Sequence, residues 1–349
     1  MSHQPAHRAL ALATCLTATL AAPMIARADA VADFYKGKDI KMLIGQPVGG
    51  GYDTYARFFA RHLSHFMPGA PNVIVQNMPG AGGVVMTNAL VAAQPRDGTV
   101  IGAAAGSVAT AALFGASGAR YDARELGWIG SLNSEVGLVV SYKTAPVQKL
   151  DDIFTTEFIV GGSGATDGNV IFPRTMNQVL GAKFKVIPGY GGTANVVLAM
   201  ERGEIHGTGS WHYSSISVAR PQWLTDGTIN VLVQLSLQRH PKVPGTPTVI
   251  ELAKTDEQRG ILELIFAQQD MGRPIFGPPA MPADRKAALR KAFDDFVKDP
   301  KVEAEADAIK IELNNPMPGA EIDTLITRLH AMSPEVVRKA GDAIKASGG

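Results

Sequence analysis

Residues 39–59 read DIKMLIGQPVGGGYDTYARFF. Ile40–Ile44 is an apolar run of strand length, Gly45–Gly51 is a loop rich in glycine, and a helix is expected to open at Asp53. That order has a chemical consequence. The first N–H groups of a helix lack internal partners, and the helix dipole places partial positive charge beside them. Glycines let a ligand approach the backbone and permit positive φ. A strand that delivers such a loop to a helix start makes an anion site.

Outward from this junction the pattern continues. The helix is expected over roughly 53–67, with Tyr55, Phe59, Leu63 and Phe66 toward a core and Arg57, Arg61 and His65 outside. A strand follows at Asn72–Gln76, then the loop Pro79–Gly83, then a helix to about Ala93. A third strand is expected over Thr99–Ala105, ending near Gly106-Ser107. Strands alternating with helices at this spacing predict a mostly parallel sheet with helices on its faces. The run Leu138–Val140 could cross to a second lobe. There the layout recurs: strand 158–160, glycine loop 161–168, a helix to Leu180 capped by Gly181, strand 183–187, and loop 189–193 before a helix over 194–202. A further strand is expected at 229–235. The tail is helical over 283–297 and 321–330, and again from Ser333-Pro334, and should pack back on the first lobe. Residues 273–279 (RPIFGPP) belong to that return.

Composition narrows the function. The 349-residue chain is 46% hydrophobic and 19% charged, with a formal net charge of +1. Near-neutrality without basic runs argues against nucleic acid and against an anionic membrane surface as partners. Residues 1–30 have the form of a secretory signal: a polar or basic start, the uncharged run 9–22, and small residues at cleavage spacing near 28 and 30. Export is expected. The single cysteine, Cys15, lies within this leader, so the processed chain would have no disulfide, Cys metal site or Cys nucleophile. The uncharged run 99–119 is too poor in large apolar residues to span a bilayer and reads as a strand followed by a loop.

Motifs exclude more than they establish. The first loop lacks G-x-G-x-x-G and no phosphate-binding G-x-x-x-x-G-K-[ST] exists, so no nucleotide cofactor is expected. His206 and His212 lack metal spacing and there is no H-E-x-x-H, so no metal site is expected. Residues 161–165 (GGSGA) resemble a nucleophile elbow with its last Gly replaced, which keeps a secreted serine hydrolase built on Ser163 as an alternative. Asp53 reads as a helix cap. Tyr52, Tyr190, Trp211 and Tyr213 are candidate pocket walls. No arginine lies in the glycine loops.

The runs GGGYDTYAR, VQNMPGAGG and PRDGTVIG, then PGYGGTANVVLAMERGE and RPIFGPPAMPADRKAALRKAF, occur in one order over nearly all of the chain after the leader. In that order they resemble the substrate-binding proteins of tripartite tricarboxylate transporters, the Bug family. The opening loop departs from the family's commoner apolar-Pro-Gly-Gly form, with Gln46-Pro47-Val48 before three glycines. The resemblance implies an α/β, two-lobed periplasmic binding protein of type II. Its parts would be a signal peptide (1–30), the first part of lobe 1 (31–137), lobe 2 (138–246), and a return to lobe 1 with the C-terminal helices (247–349). It implies a monomer that holds a small carboxylate, a di- or tricarboxylate or an aromatic one, and delivers it to membrane permease subunits. A ligand-sensing protein without a permease is the other reading. Carried to matching positions, the ligand contacts would be Val48, Gly50, Gly51, Tyr52, Asp53, Gly82 and Ser107 from lobe 1. From lobe 2 they would be Ser163, Gly164, Ala165, Thr166, Gly191, Gly192, Thr193 and Ser210, with Trp211 beside them.

Overall fold

The opening run forms strand β1 (Asp39–Ile44), with Ile40 and Met42–Ile44 buried, and the glycine loop delivers it to helix α1 (Gly51–Phe66). The computed structural model describes Met1 and residues 30–46, 48–49, 51–116, 118–162, 168–190 and 193–348. Residues 2–29, nearly all of the expected leader, lie outside them. Helix α1 starts two residues before the expected Asp53. The reason is local: the Asp53 carboxylate reaches back to the Gly49 N–H at 2.9 Å, so it works from inside the first turn rather than ahead of it. Tyr55, Phe59 and Leu63 are buried as the spacing requires, Phe66 is half-buried, and Arg57, Arg61 and His65 are exposed.

Next in order come β2 (Asn72–Asn77), α2 (Val84–Ala93), β3 (Val100–Ala103) and β4 (Gly127–Ser131). The chain then builds β5 (Gly137–Tyr142), β6 (Phe158–Gly161), α3 (Gly168–Leu180), β7 (Phe184–Ile187), α4 (Thr193–Glu201), β8 (Gly207–His212) and β9 (Ile229–Leu235). Gly181 follows α3 at φ 74°, the left-handed stop that its position predicted. After α5 (Asp256–Asp270) come β10 (Pro274–Gly277), α6 (Ala283–Phe296), β11 (Met317–Pro318), α7 (Gly319–His330) and α8 (Pro334–Gly348).

Two sheets result. One has the order β11-β4-β10-β3-β1-β2, the other β7-β6-β8-β5-β9. In the first, β1 lies parallel between β2 and β3, while β10 runs antiparallel to both β3 and β4. In the second, β6 is parallel to β7 and β8, and β5 is antiparallel to β8 and β9. The parallel strands of each sheet therefore end toward one edge, where the glycine loops sit.

Helices α1 and α6 cover the first sheet through an aromatic cluster. Phe59 meets Phe296 edge-on with ring centroids 5.0 Å apart, and Phe58, Phe59, Phe293 and Phe296 are all fully buried. Each such side chain contributes about 1.5–3 kcal/mol by leaving water. The last helix goes elsewhere than α6 and α7: α8 packs on α3 and α5 through buried Ala340 and Ala343. Helix α5 is buried along its second half, with Leu262, Leu264, Ile265, Phe266 and Ala267 at 0% exposure, because it lies between α3, α8 and the turn Gly106–Ala109.

That turn presses hard on α5. A Cβ at Gly106 would stand 2.4 Å from the Gln268 carbonyl oxygen and 2.5 Å from that of Met271. Backbone cannot yield as a flexible side chain can. Gly106→Ala is therefore expected to lower stability by about 1–3 kcal/mol, read as a lower urea midpoint at unchanged m-value. An unchanged midpoint would mean that the turn and α5 are not held in this contact.

Candidate functional site

At the end of β1 the loop is braced from inside. Asp53, 3% exposed, accepts from the Gly49 N–H, from Arg57 Nε at 2.9 Å and from Asn77 Nδ2 at 2.8 Å. Asn77, at the end of β2, also donates to the Gln46 carbonyl and accepts from Arg57. Burial alone would raise the Asp53 pKa, but the hydrogen bonds from Arg57, Gly49 and Asn77 outweigh it and hold the carboxyl below the usual range. Asp53 thus shapes the loop, and its oxygens already have partners. Val48 stands at 72% exposure on the loop's outer side.

The second loop comes close to the first. A Cβ at Gly45 would lie 2.8 Å from Gly83 Cα, and one at Gly83 would lie 2.7 Å from Ala104 Cβ. Between Gly80 and Gly83 every φ is positive, including that of Ala81 at 45°. For an alanine this is a strained conformation, of the kind that clusters at ligand clamps. Gly82 and Ser107 are neighbours: Ser107 Oγ is 3.5 Å from where a Gly82 Cβ would be.

The second loop opens on a cavity of about 630 Å³ between the two lobes; among the described residues of the first loop none lines it. Ala81, Ser107 and Thr110 face it from the first lobe, Gly168 and Ile171 at the start of α3 from the second. Ile265 and Gln268 of α5 and Ile344 of α8 complete the wall. Its size suits a small-molecule ligand.

The structure treats the expected contacts unequally. Gly82 and Ser107 come together at the cavity. Gly51 opens α1, and Thr193, half-buried, opens α4. Gly50, Ser163, Gly164, Ala165, Thr166, Gly191 and Gly192 lie outside the described residues. Ser210 is 7% exposed on β8, with its Oγ 2.6 Å from where a Gly137 Cβ would be. Trp211 alternates to the other face, 4% exposed in a cluster with Leu138 and Trp223 and away from the residues that line the cavity. The sheet's two-residue period carries it into the second lobe's own core. Tyr52 stacks on a guanidinium and is not among the residues that line the interlobe cavity, and Tyr213 packs on His240. His206 Nδ1 accepts the Ile159 N–H at 3.1 Å, as a strand-pairing group would.

That guanidinium belongs to Arg273, which sequence reasoning placed only within a return segment. It lies 4.4 Å from the Tyr52 ring centroid and 4.8 Å from that of Tyr55, and its Nη2 donates to Glu135 Oε1 at 2.8 Å. The two side chains are 13% and 5% exposed. Glu135 also accepts from Asn133 Nδ2, and from Ser214 Oγ on the short helix Tyr213–Ala219 of the second lobe. Burial pushes the Tyr55 phenol up to about 12, so its ring meets the cation uncharged. The chain passes between lobes twice here, and the two passages are laced together. Glu135 N–H donates to the Gln269 carbonyl, Gly272 N–H to that of Asn133, and Leu132 N–H to that of Arg273. A charged residue in each of two uncharged connections, NSEVG and MGRPI, was the available signal.

Two sheets joined by paired connections, with a glycine loop of one lobe and a helix start of the other on a shared hollow, define a two-lobed solute-binding protein of the periplasmic type. The chain belongs to the tripartite tricarboxylate transporter family receptor (TctC) family, whose model matches residues 56–305. It is 27% identical to Protein BugT of Bordetella pertussis over 248 residues, 68% of this chain and 70% of BugT. A TctC solute binding protein from Polaromonas, solved without ligand, has the same fold, with a TM-score of 0.67 at 20% identity over 87% of this chain and 99% of that one. MatC from Rhodopseudomonas palustris, solved with bound malate, gives 0.57 at 17% identity over 88% of this chain and 99% of MatC. The family and these structures are of binding proteins, not enzymes.

Arg273→Met would leave Glu135 buried and unpaired. It is expected to cost about 3–5 kcal/mol, measured by urea unfolding, with Arg273→Met/Glu135→Leu recovering part of the loss. Equal stability of the single and double variants would show that the pair does not act as a unit. A second expectation concerns pH. Asp270 ends α5, where the helix dipole is negative, and burial pushes its carboxyl up to about 6. A raised folded pKa costs nothing where the group is protonated in both states, well below the unfolded value of 3.8, and its full amount above pH 6. Asp270→Asn is therefore expected to stabilise the protein at pH 7 by about 1–3 kcal/mol and to lose that advantage progressively as the pH falls through 6 to below 3.8. A gain that is independent of pH would contradict it.

Proposed function

We propose that the protein captures a small carboxylate in the cavity between its lobes, outside the cytoplasm, and delivers it to the membrane permease of a tripartite transporter. The observation that carries this reading is the shared cavity, with Ala81 and Ser107 on one side and Gly168, at the start of α3, on the other. Main-chain N–H groups near the starts of α1 and α3, with hydroxyls beside them, would hold the carboxylate. Residues 163–167 and 191–192 would supply the second lobe's share. MatC, with its bound malate, supports the ligand class. Family membership supports the permease as recipient, and the form of residues 1–30 supports export.

The energetics are sufficient. A hydrogen bond to a charged group nets about 1.5–3 kcal/mol. Four or five of them, set against the cost of association, leave roughly −8 kcal/mol, the micromolar range. Catalysis is not part of the reading, and Ser163 would act as a hydroxyl donor.

Calorimetric titration of the processed chain with carboxylates is expected to give micromolar binding. Ser107→Ala should weaken it about tenfold, one hydrogen bond to a charged group, and Gly164→Pro should do so by removing a donor. If both variants bind as the parent does, the clamp is wrong.

A further inference from the structure

The cavity has a mostly apolar lining. Phe114, Ile171, Phe172 and Ile344 form much of it, and Ser107, Thr110 and Gln268 are its polar side chains. Phe114 and Ile344 belong together, since the Phe114 carbonyl oxygen lies 3.9 Å from where a Cβ of Gly341, one turn before Ile344 in α8, would be. Phe114, Ile171 and Ile344 are each half-buried and keep apolar surface open to the hollow. Among the described lining residues none is charged. The charged groups nearest the first loop are engaged: Asp53 by Arg57, Gly49 and Asn77, and Arg273 by Glu135. Residues 163–167 and 191–192 include no lysine or arginine.

From this we infer that the ligand is a monocarboxylate with an apolar body. Its head meets the loop donors, and its body lies along Phe114, Ile171 and Ile344, with the C-terminal helix as part of the specificity wall. The inference rests on the carboxylate-capture reading above and narrows it. A second carboxylate would lose its water against these apolar side chains and meet no cation among the described lining residues. A methylene there gains instead, because it leaves water for a wall that is already apolar.

The test is a chain-length series, titrated calorimetrically into the processed protein: propionate, butyrate, pentanoate and hexanoate, with succinate, malate and adipate alongside. Each added methylene is expected to tighten binding three- to fourfold, the equivalent of about 0.8 kcal/mol. Each diacid should bind at least tenfold more weakly than the monoacid of equal carbon number, or than butyrate in the case of malate. In Phe114→Ala and in Ile344→Ala the gain per methylene should shrink, so that hexanoate loses more affinity than propionate does. A purely structural loss would weaken all the acids alike. Either variant keeping the full gain, or losing propionate equally, removes these residues from the wall. Diacids that bind more tightly than monoacids overturn the inference and leave carboxylate capture standing. No binding by any acid overturns both.

Discussion

The buried contact between Arg273 and Glu135 sets the frame for everything near the cavity. Two charges taken out of water gain little from each other unless their remaining hydrogen-bonding groups are met. Here several are: Asn133 and Ser214 on the carboxylate, the Gly272 carbonyl and two tyrosine faces on the guanidinium. The partners come from different places. Tyr52 and Tyr55 lie on the first helix of lobe 1, Ser214 lies on a short helix of lobe 2, and the pair itself occupies the two passages between them. A single ion pair therefore ties the helix that begins at the first glycine loop to both connections and to the far lobe. Backbone hydrogen bonds between residues 131–135 and 269–273 hold the passages side by side, so the lobes share a narrow pivot.

What could be seen in the sequence follows from range. Strand β1, the core face of α1, the left-handed stop at Gly181 and the tail helices are local matters of period, propensity and turn chemistry, and residues a few positions apart reveal them. The ends shift by a residue or two where a side chain acts backward, as Asp53 does. The antiparallel entry of β10 between β3 and β4 is of another kind. A run of alternating strands and helices suggests parallel neighbours, and nothing near Pro274 says which way a strand arriving from the other lobe will run. The Arg273–Glu135 pair is hidden for the same reason, its members standing 138 positions apart in the chain. Its only local trace is a charge inside an otherwise uncharged connection.

The site shows the same division. Glycine loops after strands stand out in the sequence, because backbone exposure is written in composition. Which side chains wall the hollow was not written there. Trp211 was a fair candidate from its place beside Ser210, yet adjacent residues on a strand face opposite ways, and it went into the core. Phe114, Ile171 and Ile344 come from three separate segments, and their meeting depends on α8 crossing to α3. An apolar residue in a helix carries no mark that says whether its neighbour will be another helix or a ligand.

Reliance on neutral donors also bears on how a carrier lets go. On the proposed reading, the anion is held by main-chain dipoles and hydroxyls, without a countercharge in the cavity. An association rate of about 10⁷ M⁻¹s⁻¹ with micromolar affinity gives release at about 10 s⁻¹. A cationic fork that brought the affinity to nanomolar would slow release to about 10⁻² s⁻¹ at the same association rate. A protein that must surrender its cargo is better served by the first. Affinity added through an apolar wall differs from affinity added by a buried charge. The wall discriminates by shape and length, and it leaves no unpaired ion behind when the ligand departs. Arg273, locked to Glu135 between the two connections instead of standing in the hollow, is consistent with that division of labour. On that reading charge fixes the frame, dipoles hold the head group, and apolar surface chooses the body.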